Sequence, residues 1–199
     1  MESPETIREF WFGRSSDDKV TADQQSALWW KKHPETDRLI RQRFEPCMMR
    51  AAQHTLDDWL ATPTGRLALI LLTDQFPRNS YRDSPQSFAF DPLALAWARE
   101  GLAKNVHLAL RPIERLFFYL PLEHSESRED QNLSVSLCEE LVENASPDQK
   151  PVFAGFLDFA LRHQKIIERF GRFPHRNKIL GRASTPEEAE FLKEKGSSF

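Results

Sequence analysis

The stretch at residues 66–74, RLALILLTD, decides between the fold classes open to this chain. Its apolar run from Leu67 to Leu72 suits either a buried strand or a buried helix, because periodicity alone does not separate the two. No other segment of the 199 residues resembles a partner strand. We therefore predict a core helix here and an all-α fold of about nine or ten helices joined by short breaks.

Helix-start signals, with proline at the first turn, recur in the N-terminal half of the chain. Ser3-Pro4-Glu5 combines a hydroxyl cap, a proline and an acid, and Gly13 is predicted to end the helix that follows. Residues 14–23 are polar and lack apolar periodicity, so we expect a loop. Pro46 interrupts a strongly helical pattern and is predicted to kink or restart that segment.

The C-terminal half ends in two helices with clear boundary signals. The last long helix is predicted from near Pro147 to Phe170, with Gly171 as the residue that ends it. Thr185-Pro186-Glu187-Glu188 has the pattern of a capping box and predicts a short terminal helix. The tail at residues 196–199 is expected to fray.

Composition favours one helical domain over residues 1–199. The net charge of −3 gives no general basic field, so nucleic acid is an unlikely partner. The longest apolar run is far shorter than a membrane span, and the N-terminus lacks the pattern of a signal peptide. Cys47 and Cys138 lie far apart and are expected to be reduced, so we predict a cytoplasmic protein.

The most distinctive polar stretch is residues 169–182, RFGRFPHRNKILGR, which we call the arginine loop. It contains five Lys or Arg residues and one His but no acid. Interleaved Phe170 and Phe173 indicate a shaped and partly buried loop, since a solvated charge run has no use for them. Clustered guanidinium groups are suited to carboxylates or phosphates.

Part of this loop repeats an earlier segment at about half the chain length. Residues 76–79, Phe-Pro-Arg-Asn, resemble residues 173–177, Phe-Pro-His-Arg-Asn, with one residue inserted. Chance similarity of such turns is one interpretation. The other is a weak internal duplication that places the two Arg-Asn corners across one groove.

The same segments carry a family resemblance. The chain resembles the bacterial domain-of-unknown-function family 924 from Phe10-Trp11-Phe12-Gly13 almost to the C-terminus. The most specific matches are residues 74–79, residues 121–126, Asp130-Gln131 and residues 169–182. The resemblance implies a tetratricopeptide-like α–α superhelix and a site shared by these polar motifs, but it supplies no activity.

We predict that an inner groove binds a small anionic ligand or the acidic end of a peptide. The predicted ligand-binding residues are Asp74, Arg78, Asn79, Arg172, His175, Arg176, Asn177 and Arg182. The competing interpretation is a structural network in which these arginines pair with the acids of residues 123–130. Buried guanidinium groups need partners of one kind or the other.

An enzyme is the alternative function. His124, Glu126 and His163 are the candidate catalytic residues, for acid/base or metal-assisted hydrolysis in the same groove. A capping and salt-bridging role for the segment at 124–130, and a core role for His163, remain open. No recognisable metal-ligand spacing or nucleotide-binding motif occurs in the sequence, so no metal site is predicted and any cofactor is unknown.

Overall fold

The stretch at residues 66–74 is helical and lies in the core, as predicted. In the computed structural model, which describes residues 2–197, no β-strand occurs, and the all-α prediction is confirmed. The ten α-helices within that range are α1 (Pro4–Phe12), α2 (Asp18–Trp30), α3 (Pro34–Ala52), α4 (Pro63–Ile70), α5 (Phe76–Ser80), α6 (Asp91–Ala103), α7 (Pro112–Glu123), α8 (Arg128–Asn144), α9 (Lys150–Phe170) and α10 (Pro186–Phe191).

The central segment runs without interruption from α4 through a π-helical turn, Leu71–Gln75, into α5. Thr62 starts it by accepting a hydrogen bond from the Gly65 backbone N–H, and Pro63 occupies the first helical position. Every residue from 65 to 77 is buried, and α4 packs against α1, α6 and α7. This segment therefore carries Asp74 into the interior.

The predicted loop at residues 14–23 is wrong in its second half, because α2 begins at Asp18. Asp17 caps α2 by accepting a hydrogen bond from the Val20 backbone N–H at 2.8 Å. The buried Asp18 carboxylate accepts from the Ile113 backbone N–H at 3.2 Å, which ties α2 to α7. Polar contacts hold the start of α2 in place, so this helix forms without an apolar periodicity in its sequence. Pro46 does not restart its segment, since it lies inside α3.

Helices α8 and α9 form an antiparallel pair. The Arg128 side chain donates to the Glu168 backbone carbonyl, and Gln164 donates to Asn132, both at 2.9 Å. Gly171 ends α9 with a φ of 70°, a left-handed conformation that favours glycine. The chain then folds back over the junction of α7 and α8, through contacts described below.

The C-terminal helix α10 begins with the predicted capping box, in which Thr185 accepts from the Glu188 backbone N–H. Ser198 and Phe199, part of the tail predicted to fray, lie outside the described residues. Paired antiparallel helices fit a tetratricopeptide-like arrangement, and the superhelix itself stays a prediction. Between residues 2 and 197, no helix combines the length and apolar character needed to cross a membrane.

Candidate functional site

Asp74 is the centre of a buried polar cluster, and its π-helical turn sets its position. Such turns inside helices are frequent at functional sites. The side chain of Asp74 has no exposed surface, yet it is fully engaged. Its Oδ1 atom lies 2.7 Å from Nδ1 of His124 and 3.3 Å from Nη1 of Arg78. Its Oδ2 atom accepts a hydrogen bond from Gln75 Nε2 at 2.6 Å.

The charge state of Asp74 fixes the tautomer of His124. Burial alone would raise the pKa of Asp74, but Arg78 and His124 hold it well below its usual range. An ionised carboxylate only accepts hydrogen bonds, so Nδ1 of His124 carries the proton. Burial, and then the charge of Arg78, lower the pKa of His124. The imidazole is therefore neutral near pH 7, with a lone pair on Nε2.

Arg78 connects the Asp74–His124 pair to Asp91 at the start of α6. It binds Asp91 with two hydrogen bonds, of 2.8 and 2.9 Å, and also donates to the backbone carbonyl of Asp74 at 2.5 Å. Two carboxylates thus compensate one guanidinium group. The side chains of Arg78 and Asp91 keep 19% and 20% of their surface exposed, and that of His124 keeps 14%. These three residues form the rim of the cluster.

Arg176 approaches the same rim from the arginine loop. Its guanidinium carbon lies 4.8 Å from the ring centre of Phe88 and 4.5 Å from that of Phe173. Nη1 donates to the backbone carbonyl of His124 at 3.0 Å, while the nearest carboxylate oxygen, on Asp91, is 3.8 Å away. Nε is buried and has no hydrogen-bond partner within residues 2–197. Burial lowers the pKa of Arg176 to about 10, and Arg78 acts in the same direction.

A second buried pair, Glu123 and His163, lies behind His124. Nδ1 of His163 is 3.0 Å from Oε1 of Glu123 and 2.9 Å from the Phe159 carbonyl. Burial, and then the charge of Asp74, raise the pKa of Glu123 to about 8. Burial lowers the pKa of His163 to about 3. Both side chains are therefore neutral near pH 7, as a desolvated pair without a compensating charge should be.

Two arginines predicted to bind ligand are held by internal carboxylates. Arg172 makes two hydrogen bonds, of 2.6 and 2.8 Å, to the buried carboxylate of Glu188. Arg182 binds Glu126 at 2.7 and 2.9 Å. Glu126 also accepts from the Phe173 backbone N–H at 2.8 Å. The predicted catalytic Glu126 thus fastens the arginine loop to the α7–α8 junction and does not join the pair formed by Asp74 and His124.

The remaining predicted ligand-binding residues lie around these contacts. Asn79 donates to Asp37 at 2.9 Å, away from the rim, and Asn177 donates to Glu188 at 3.3 Å. His175 is half-buried beside the Phe173 ring, with ring centres 5.7 Å apart. Burial, and then Arg176, lower the pKa of His175 to about 4.

The two similar corners of the sequence meet at one residue. Arg78 from the first corner and Arg176 from the second both face Asp91, which the sequence indicated only as a helix start. Phe88 was missed as a neighbour of the site, and Glu123, one of the acids expected to pair with the arginines, lies against His163 instead. The Asp91-Pro92 signal was sufficient to place a helix there, but nothing in it showed what the carboxylate would bind.

Within residues 2–197, no group of three or more His, Cys, Asp or Glu side chains is arranged to hold a metal ion. Two surface depressions, of about 210 and 410 Å³, lie along α1 and are lined by Arg43 and Arg111 respectively, among others. The polar cluster lines neither depression. Solvent reaches the cluster at the rim formed by His124, Arg78 and Asp91.

Comparison with known proteins gives a family and a fold. The sequence model of a family described as bacterial proteins of unknown function (DUF924) matches residues 7–196. A solved structure of a protein of unknown function from Agrobacterium tumefaciens is similar, with 36% identity and a TM-score of 0.79. The match covers 96% of this chain and 97% of that one. No curated protein matches the chain.

Proposed function

The chain belongs to the bacterial domain-of-unknown-function family 924, and we propose that it binds a small anion, or the acidic end of a peptide, at Arg176. The observation that carries the proposal is the state of this guanidinium group. It is 7% exposed, its nearest carboxylate oxygen is 3.8 Å away, and its Nε has no partner within residues 2–197. A buried guanidinium group with an unpaired N–H donor is stabilised when a carboxylate or phosphate oxygen accepts a hydrogen bond from it.

The other arginines of the region do not have this spare capacity. Arg172 and Arg182 each bind one carboxylate with two hydrogen bonds, and Arg78 binds Asp91 in the same way while also contacting Asp74. These pairs support the structural interpretation for most of the arginine loop. Arg176 is the exception, because Asp91 is already engaged by Arg78 and compensates Arg176 only from a distance.

The ligand is proposed to reach Arg176 at the rim formed by His124, Arg78 and Asp91. Each of these side chains keeps between 14% and 20% of its surface exposed. The charges of Arg78 and Arg176 are balanced by those of Asp74 and Asp91 when His124 is neutral. A monoanion is therefore preferred over a dianion, since each added negative charge faces Asp91 as well as Arg176.

The test compares Arg176→Gln with the matched variant Arg172→Gln. Melting temperatures are measured in formate, acetate and phosphate, with chloride at equal ionic strength as the reference. We expect the parent and Arg172→Gln to be stabilised by formate or acetate, and Arg176→Gln to show no such shift. At a hundred times the dissociation constant, stabilisation should reach about 2.7 kcal/mol. Equal shifts in all three proteins would contradict the proposal.

A hydrolytic enzyme is the second candidate, and the contact between Asp74 and His124 favours it. In the sequence-based version, Glu126 and His163 assisted His124. The two oxygens of Glu126 are occupied by Arg182 and Phe173, whereas Asp74 binds the His124 ring directly. We also propose a cytoplasmic location, which the two free, buried cysteines, Cys47 and Cys138, support.

A further inference from the structure

We infer that His124 is a catalytic general base and that Asp74 is its positioning residue. Its substrate is the carboxylate or phosphate monoanion proposed to bind at Arg176, so the inference rests on that proposed function for its substrate. The chemistry rests on a separate observation, the geometry of the Asp74–His124 pair. The two can therefore fail independently.

Asp74 holds the His124 ring as the carboxylate of a hydrolytic triad holds its histidine. The distance from Oδ1 to Nδ1 is 2.7 Å, and the carboxylate is fully buried. Gln75 and Arg78 fix the orientation of that carboxylate from two other sides. The Nδ1 proton is therefore committed to Asp74, and Nε2 is left as the basic nitrogen.

Nε2 of His124 is available for chemistry at the rim. No hydrogen bond to this atom occurs within residues 2–197, and the side chain is 14% exposed. The charged groups that surround the ring are Asp74, Arg78, Asp91 and Arg176, with the neutral Glu123 and His163 behind it. A network that served only packing would not need an accessible basic nitrogen beside a buried cation.

The proposed anchor and the proposed base are joined through the backbone. Arg176 donates from Nη1 to the carbonyl oxygen of His124 itself, at 3.0 Å. An anion bound to Arg176 is thereby fixed relative to the residue that carries the base. Such positioning of reacting groups is a main source of enzymatic rate acceleration.

The proton balance of the step is simple. The Nε2 lone pair takes a proton from a water molecule or substrate hydroxyl, so that an N–H bond forms and an O–H bond breaks. The electron pair stays on the oxygen, which becomes the nucleophile. That oxygen attacks the carbonyl carbon or the phosphorus of an ester group in the bound substrate, so that a new O–C or O–P bond forms and the bond to the leaving oxygen breaks with its electron pair. The imidazolium, stabilised by Asp74, gives its proton to that leaving oxygen.

Bromoacetate and bromoacetamide provide a test that needs no knowledge of the substrate. The lone pair of Nε2 attacks the methylene carbon of either reagent and bromide leaves, which gives an alkylated histidine. Peptide mass spectrometry measures the rate at His124 and, as internal references, at the exposed His33 and His54. Relative to these references, we expect bromoacetate to label His124 at least about tenfold faster than bromoacetamide does, a difference of about 1.4 kcal/mol in barrier.

Two variants separate the anchor from the base. Arg176→Gln should bring the ratio of the bromoacetate and bromoacetamide rates at His124 down to the ratio measured at His33 and His54. Because the ratio is compared, any effect on both rates of losing the hydrogen bond from Arg176 to the His124 carbonyl cancels. Asp74→Asn should slow both reagents at His124 by at least about tenfold, because an amide no longer holds the Nδ1–H tautomer. An unchanged bromoacetamide rate in Asp74→Asn would overturn the inference.

The remaining outcomes distinguish the two proposals. If bromoacetamide labels His124 readily but bromoacetate has no advantage, the anion site fails and the base stands. If neither reagent labels His124 faster than the references, the base fails, whatever the anion-dependent melting temperatures show. Should Asp74→Asn not fold, the position of alkylation in the parent decides. Amino-acid analysis of the alkylated parent must show carboxymethylation of His124 at Nε2, and alkylation at Nδ1, the nitrogen that faces Asp74, would overturn the inference.

Discussion

Nδ1 of His124 and Oδ1 of Asp74 lie 2.7 Å apart in the interior, although fifty residues separate them in the chain. The contact joins the π-helical turn of Leu71–Gln75 to the C-terminal end of α7. Because the carboxylate has no exposed surface, its charge is sustained by Arg78 and by the hydrogen bonds it accepts. The contact therefore contributes to the stability of the fold as well as to the proposed chemistry.

Asp74→Asn should lower the free energy of unfolding by about 1.5–3 kcal/mol, the range for hydrogen bonds to charged groups, as measured by denaturant titration at pH 7. The amide preserves the shape of the side chain but leaves the half-buried Arg78 with one carboxylate instead of two, and it removes the charge that faces Nδ1 of His124. Asp158→Asn is the control, since Asp158 pairs with Arg162 on the surface of α9. That change should stay within about 0.5 kcal/mol. A comparable effect of both substitutions would refute a special role for the buried charge.

The Glu123–His163 pair should leave a distinct mark on the pH dependence of stability. Glu123 has its folded pKa raised by burial from 4.5 to about 8, so the folded state holds a proton that the unfolded state has released. Its contribution to stability is present below pH 4.5 and is lost as the pH rises to about 8. The free energy of unfolding of Glu123→Gln should therefore rise relative to that of the parent as the pH rises, by at most about 1.4 kcal/mol per pH unit.

His163 provides the mirror-image control. Burial lowers its folded pKa from 6.5 to about 3, so the parent loses stability as the pH falls through that interval. His163→Gln should remove this loss. In the parent, the contributions of Glu123 and His163 to the slope of unfolding free energy against pH should nearly cancel between pH 4.5 and 6.5. Denaturant titrations at half-unit pH steps would show it. Parallel pH curves for the parent and both variants would contradict the neutral state assigned to the pair.

The helices of this protein could be predicted from the sequence better than the side-chain contacts between them. The capping box at Thr185 and the left-handed Gly171 depend on local patterns, and each is found as expected. The apolar run from Leu67 to Leu72 was assigned to a helix because no other segment resembles a partner strand, and it is helical. The contact of Asp74 with His124 depends on a π-helical turn that rotates the carboxylate towards α7, and no periodicity signals such a turn. Asp91 was recognised for its local role as a helix start, whereas Arg176, one of the two arginines it faces, lies far away in the chain.

A structural role of Arg172 should appear as a contribution to stability that disappears at acid pH. The hydrogen bonds from Arg172 lower the pKa of Glu188 from 4.5 to about 2. This stabilisation is fully present above pH 4.5 and is lost as the pH falls towards 2. Arg172→Gln should be less stable than the parent at pH 7, with the difference shrinking below pH 4. The neighbouring exposed pair Arg169–Glu187 supplies the control, and Arg169→Gln should show no such convergence.

Glu126 should hold the arginine loop in its folded conformation. One of its oxygens accepts from the Phe173 backbone N–H at 2.8 Å, and both are bound by Arg182. Burial would raise the pKa of Glu126, but the hydrogen bond from Arg182 holds it below its usual value, so the carboxylate is charged at pH 7. Glu126→Gln keeps the size of the side chain and removes the charge that holds both donors.

Hydrogen exchange followed by mass spectrometry measures the consequence of that change directly. Peptides that cover residues 172–182 should exchange faster in Glu126→Gln, because local opening no longer has to break a charged, three-bond contact. Peptides from α4 should be unaffected, since the core of the fold does not depend on Glu126. Glu129 is an exposed acid in the first turn of α8, and the exchange rates of Glu129→Gln should match those of the parent in all peptides. Unchanged exchange at Phe173 in Glu126→Gln would return Glu126 to the list of candidate catalytic groups, because its charge would then have no structural use.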